Sequence, residues 1–243
     1  MRKLLILTCL IALLCAQKSY AGPPFNTDDP EPVEYKHWEY YVSTVNNYQQ
    51  GVWSGTSPHF EVNYGLVPDV QIHLLMPVNY TTVPHQKASF GYTETEVGVK
   101  FRFLQETDSR PQGGIFPIIE VPTIKNETFS NGKAKIFIPV WAQKSWGKLT
   151  TYGGMGYWIN PGEGNRNYIF SGWEVQYDFS PTLMLGGELY YHSSDAIGVK
   201  PVTAFNLGGS INASPKVHLI FSAGHSLVNG GFFTSYLGLL LTI

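Results

Sequence analysis

The side chains with most capacity for chemistry in this chain are charged residues that recur at every second position. Between 93 and 103, Glu94, Glu96, Lys100 and Arg102 fall on one side of an extended segment, and Thr95, Val97, Val99, Phe101 and Phe103 fall on the other. Glu39, Glu61, Glu120, Glu174 and Glu188 take equivalent polar-side positions in other segments. Opposed carboxylates and cations around a narrow aqueous interior set a local field that sorts polar or charged solutes. The same nine residues could instead pair off as a ladder of salt bridges that fills the interior and stabilises it. A second grouping is His192-Ser193-Ser194-Asp195, where a histidine base and a serine nucleophile two residues apart share one face of an extended strand. That spacing would suit a lipid hydrolase if the face met lipid. The alternation turns it inward, so a hydrogen-bonded strand end is expected and no catalytic residue is assigned. The seven histidines show no metal-ligand spacing, and no cofactor or metal is called for.

These charges need a scaffold with a wet side and a greasy side. Helical periodicity is nowhere sustained, whereas period-two alternation runs from end to end. In 169 to 179, Ile169, Trp173, Val175, Tyr177 and Phe179 oppose Glu174, Gln176 and Asp178. In 183 to 192, Leu183, Leu185, Leu189 and Tyr191 oppose Glu188 and His192. Twelve such segments lie near 35–49, 53–64, 70–80, 91–104, 115–124, 136–146, 149–159, 168–179, 182–193, 203–213, 217–227 and 232–243. Most are long enough to cross a bilayer as tilted strands, and twelve is even. Tight turns at 65–69, 147–148, 180–182 and 214–216 alternate with longer polar loops at 81–90, 125–135, 160–167 and 194–202, as in outer-membrane barrels. The segment 105–114 is long where a tight turn is due. Trp38, Tyr40, Trp146, Tyr157, Trp158, Trp173, Tyr177 and Tyr191 are candidates for interfacial girdles. The fold class is therefore all-β, a transmembrane antiparallel barrel of about 12 strands, closed because an open sheet edge is not tolerated in hydrocarbon.

Composition and the chain start agree with this. Only 14% of the 243 residues are charged, while 14% are aromatic and 25 are glycine. Met1-Arg2-Lys3, the apolar Leu4 to Cys15 and Ser19-Tyr20-Ala21 form the three parts of an export signal cleaved after Ala21. With 1–21 removed, both cysteines go and 13 Lys plus Arg remain against 18 Asp plus Glu, which excludes a disulfide scaffold and argues against nucleic acid as a partner. Residues 22–34 precede the barrel at 35–243. They are acidic and Pro-rich, and either form a periplasmic tail, the default for a segment with no core to bury, or fold into the lumen as a plug. Pro58, Pro77, Pro122 and Pro139 fall inside expected strands, where each removes a ladder donor. They mark a sector with bulges or a rim gap, unless the strands stop short of them.

The run Gly22-Pro23-Pro24-Phe25-Asn26-Thr27-Asp28-Asp29-Pro30-Glu31-Pro32-Val33, then His37-Trp38-Glu39, resembles the mature start of the outer-membrane family labelled as the MetA pathway of phenol degradation. Gly187-Glu188-Leu189, Phe205 to Ser210 and Ser214 to Ser226 continue the resemblance. It implies an outer-membrane channel or uptake transporter for small aromatic or other organic molecules. The partners it implies are outer-membrane lipids, the barrel-assembly machinery and a small-molecule solute, and it assigns no catalytic residues. The chain ends in Ile243, where barrels of this kind commonly end in Phe or Trp. A non-conducting structural or adhesive barrel, and the His192/Ser194 lipid hydrolase, are the alternatives.

Overall fold

The computed structural model describes residues 22–92, 94–123 and 129–243; the leader expected at 1–21 and part of the loop expected at 125–135 lie outside the described residues. Fourteen strands follow in chain order: β1 (Trp38–Gln49), β2 (Val52–Val67), β3 (Val70–Thr82), β4 (Ser89–Tyr92), β5 (Glu94–Leu104), β6 (Gln112–Ile115), β7 (Ile118–Pro122), β8 (Lys135–Trp146), β9 (Leu149–Ile159), β10 (Tyr168–Ser180), β11 (Leu183–His192), β12 (Val202–Ser214), β13 (Val217–Val228) and β14 (Phe232–Thr242). They form one antiparallel sheet, and β1 pairs with β14 from Glu39 opposite Thr242 to Gln49 opposite Phe232, so the sheet closes on itself. Closure satisfies the backbone groups that an open edge would leave bare in hydrocarbon.

Twelve crossings are present, as the alternation predicts, but the fourth and fifth each consist of two strands. β4 and β5 both pair with β3, and β6 and β7 both pair with β5 and β8. The fifth crossing begins at Gln112 rather than at 115 and is interrupted at Phe116-Pro117. Pro117 has no amide hydrogen to offer a ladder, and its carbonyl instead accepts from the Val99 amide at 3.1 Å. Pro139 of β8 lies beside this break, since its neighbours Val140 and Phe137 pair with Ile115 and Ile118 on either side of it. The donor that Pro139 lacks is thus missing where the wall has no regular partner. Pro58 sits in a bulge where pairing skips from Thr56 to His59, Pro77 stands opposite His59, and Pro122 ends β7 opposite Glu94. The strands run through Pro58, Pro77 and Pro139 instead of stopping before them, and pairing resumes directly beyond each irregularity.

The outer surface carries the apolar set. Val97, Val99, Phe101, Phe103, Ile138, Val140, Leu237 and Leu239 are all exposed, although each is flanked in sequence by inward residues. Trp38 packs on Tyr64 at one end of β1, and Tyr48 packs on Trp53 at the other, with centroids 4.3 and 5.0 Å apart. One expected girdle residue is on the other side. Tyr157 and Trp158 are adjacent, so a strand can send only one of them outward. Tyr157 is the exposed one, while Trp158 stacks inside against Phe137 and Tyr168 at 4.7 and 5.9 Å.

The connections at 68–69, 147–148, 181–182 and 215–216 are two residues each, and those at 83–88, 123–134, 160–167 and 193–201 are longer. The exception is 105–111, at the tight-turn end. It folds back through a Thr107–Arg110 bridge, and Glu106 is bound by Lys144 at 2.8 Å and by the Ser145 amide at 3.1 Å. Those contacts tie the connection to the base of β8.

Candidate functional site

The site is the lumen and the segment that lies in it. Residues 22–34 do not form a solvated tail. Thr27 and Asp29 are fully buried, and Pro30 is among the most enclosed side chains of the molecule. Four prolines in thirteen residues fix φ at four positions, so less backbone freedom is lost when the segment docks. Such a segment makes few hydrogen bonds within itself, which leaves its amides and carbonyls free for the wall.

The wall supplies partners in sequence. Ser222 of β13 donates to the Pro24 carbonyl at 2.6 Å. The Glu188 carboxylate of β11 accepts from the Asn26 amide at 2.9 Å, the Thr27 amide at 2.7 Å and the Thr27 hydroxyl at 2.7 Å, while Asn206 holds it from β12 at 2.6 Å. Lys100 of β5, almost wholly buried, reaches Asp28 at 2.8 Å and Asp29 at 3.4 Å. Glu31 accepts from Gln112 at 3.0 Å and from Gln143 at 3.2 Å, with Arg102 at 3.7 Å. The Val33 amide donates to Gln71 of β3 at 2.9 Å. The segment therefore crosses the lumen and is held from several sides by polar bonds.

Two glycines shape its seat. A Cβ on Gly172 of β10 would stand 2.1 Å from the Thr27 hydroxyl, and one on Gly65 of β2 would stand 1.9 Å from the Glu34 carbonyl. Both distances are too short for a side chain beside the native partner atoms, so glycine is what lets the segment lie against the wall at these two points.

The nine charged residues singled out from the sequence all face the interior, in distinct roles. Glu94 and Glu120 flank Lys135 at 3.3 and 2.7 Å. Glu61 and Glu96 flank His73 at 3.6 and 2.9 Å, and Asn63 bonds both His73 and Glu61. Arg102 is shared by Asp69 at 2.8 Å and the more distant Glu31. Glu39 accepts from the Tyr41 hydroxyl at 2.9 Å. Glu188 and Glu174 stand directly opposite each other on β11 and β10, but Glu188 binds the segment whereas Glu174 is fully buried and faces the Tyr152 hydroxyl. His192 points Nδ1 at the Ser193 carbonyl at 2.9 Å, which spends that nitrogen on the strand end.

Asp29 is the titratable group of the segment most affected by its seat. Burial pushes its carboxyl up to about 7, against the pull of Lys100 and with the push of Asp28 and Glu31. Sequence reasoning missed its role, together with those of Gln71, Gln112, Gln143, Asn206 and Ser222. The last five are uncharged inward residues at the right parity, and parity alone could have flagged them as segment contacts.

Among the described residues, open space lies beside the segment and toward both ends of the barrel. A space of about 190 Å³ lies beside the segment, bounded by Asp28, Glu31, Glu61, His73, Glu96 and Phe116. One of about 740 Å³ opens at the tight-turn end near His37, Asp178, Asn212 and Lys216. Another, of about 460 Å³, lies toward the long loops among Asn47, Ser54, Thr56, Asn79 and Phe129. Cavities thus lie toward both mouths, with the segment between them.

No family model matches the chain, and no curated protein does either. Among solved structures, the fold is similar to the crystal structure of an outer membrane channel from Pseudomonas putida F1, with 14% identity and a TM-score of 0.69 over 92% of this chain and 100% of that one. It is also similar to the KdgM porin in complex with disordered oligogalacturonate, with 10% identity and a TM-score of 0.56 over 83% of this chain and 98% of that one. The NanC porin matches with 10% identity and a TM-score of 0.57 over the same shares. At these identities the likeness is one of fold, and the fold is that of outer-membrane barrels.

Proposed function

We propose that this protein is an outer-membrane channel for small organic molecules whose lumen is gated by its own residues 22–34. The observation that carries the reading is that the lumen is polar and its central obstruction is one short segment held by hydrogen bonds and ion pairs. A barrel built only as a wall or an adhesin could fill its interior with wall side chains, as eight-stranded barrels do. Here the filling is a separable strand-length piece, and space flanks it toward both mouths. Displacing the segment leaves a continuous polar passage, and solutes then cross by diffusion. The working partners are outer-membrane lipids outside, a small-molecule solute inside, and the assembly machinery during insertion. The neighbours named above are described as channels and porins, which favours transport over catalysis.

The test is conductance of the mature protein in planar bilayers as a function of pH. Asp29 binds its proton more tightly in the seat than in water, so its contribution to docking is complete below about pH 4 and is lost as pH rises through about 7. Open probability is expected to rise between pH 5 and pH 8. Asp29→Asn, which is neutral at every pH, is expected to flatten that rise. A protein that never conducts at any pH contradicts the channel reading.

A further inference from the structure

We infer that the solutes this lumen favours are small organic cations, an inference that deepens the channel reading and rests on it. Among the described strand residues, the inward-facing Lys and Arg side chains are Lys100, Arg102 and Lys135, whereas eight carboxylates face inward, from Glu39 on β1 to Glu188 on β11. The three cations do not balance these eight wall carboxylates, and the excess remains when residues 22–34 are displaced. Lys135 is held between Glu94 and Glu120, and His73 between Glu61 and Glu96, so each of these two wall clusters has one more acid than base. Lys100 and Arg102 lose Asp28, Asp29 and Glu31 when the segment leaves, and Arg102 keeps Asp69.

A second, independent feature points the same way. Glu96, Glu120 and Lys135 form one cross-strand row, since Glu96 pairs with Glu120 and Glu120 with Lys135. The next inward position of β8 starts a row of rings, Phe137, Trp158 and Tyr168, stacked within 12° and 16° of parallel. Trp158 and Tyr168 are only half-buried, so this row presents apolar ring surface to the lumen beside the carboxylates. A small ammonium ion with a flat apolar part meets carboxylates on one side and apolar ring surface on the other. An anion of the same shape meets charge repulsion from the wall carboxylates. Confined fields of one sign raise the local concentration of the opposite ion by about tenfold or more.

The experiment reconstitutes the mature protein and measures the reversal potential in a potassium chloride gradient, then the entry of benzyltrimethylammonium, tetramethylammonium and benzoate into vesicles. The expected cation-to-anion permeability ratio is about ten or more, and benzyltrimethylammonium should enter faster than benzoate. Glu94→Gln with Glu120→Gln, which leaves Lys135 unbalanced, should lower the ratio severalfold. Trp158→Leu should slow benzyltrimethylammonium relative to tetramethylammonium. Heat-modifiable gel mobility checks that each variant is folded, and Glu61→Gln offers the charge test at a second cluster should the double variant fail to insert. A conducting protein with a ratio near or below one, or equal entry of benzoate, overturns the inference and leaves the channel reading standing. Absence of conductance in both the native chain and the segment-loosened Glu188→Ala variant overturns both.

Discussion

Glu188→Ala is expected to turn a mostly closed channel into a mostly open one without dismantling the barrel. The Glu188 carboxylate receives three bonds from Asn26 and Thr27, all at 2.9 Å or less, and hydrogen bonds to a charged group contribute about 1.5 to 3 kcal/mol each. Part of that returns through water once the segment is free, so a net loss of about 3 kcal/mol is a conservative figure, or about a hundredfold in the docked-to-free ratio. The strands are unaffected, because the Glu188 backbone pairs with Glu174 and Asn206 whatever its side chain. Single-channel recording should show long open dwell times in the variant. Limited proteolysis should cut residues 22–34 at a rate the native protein resists. Unchanged dwell times together with unchanged protection would show that Glu188 does not hold the gate.

Lys100→Met is expected to be the most damaging single change in the lumen, and a specific second change should repair it. Lys100 is almost fully buried and is the cation shared by Asp28 and Asp29, of which Asp29 is wholly enclosed. Removing one partner of a buried ion pair costs about 3 to 5 kcal/mol, because the other charge is left without compensation. The segment should leave its seat, and unfolding of the detergent-solubilised barrel should come at lower denaturant. Adding Asp28→Asn, at the partner 2.8 Å from Lys100, removes the stranded charge while preserving shape, and most of the loss should return in the double variant. A double variant as impaired as the single one would mean that Lys100 acts by packing against Phe116, whose ring centroid is 5.1 Å away, and not by charge.

These two residues show how far the sequence could be read. That Lys100 and Glu188 face inward follows from parity along their strands, because a period of two is unambiguous where one face meets lipid. The twelve crossings and most of the turns follow for the same reason. What each charge touches does not follow, since partners come from strands distant in sequence and from the segment at 22–34. That segment carries no periodicity and no apolar face, the usual mark of a solvated tail. Its docking surface is polar, so polarity, which normally keeps a segment in water, here matches it to the wall. Trp158 illustrates a smaller limit. An aromatic near a strand end suits a girdle by composition, and only its parity relative to Tyr157 assigns it to the interior. The expected strand 115–124 runs through Pro117, whose missing donor could have flagged the interruption at Phe116-Pro117, and the consequence for Pro139 depends on a register that spacing does not fix.

The most direct measurement exploits the loss of both native cysteines expected with the leader. A Cβ on Gly172 would lie 3.1 Å from the Thr27 Cβ, a few tenths of an ångström inside the roughly 3.5 Å lower end for a disulfide, and Thr27→Cys removes the hydroxyl that a side chain at 172 would strike. The variant carrying Thr27→Cys and Gly172→Cys should crosslink on oxidation and fix the segment across the lumen. Single-channel conductance of one membrane would be recorded oxidised and then after reduction. Silence followed by conductance on adding reductant is expected. Equal conductance in the two states, with the crosslink verified by mass, would contradict a gate formed by residues 22–34.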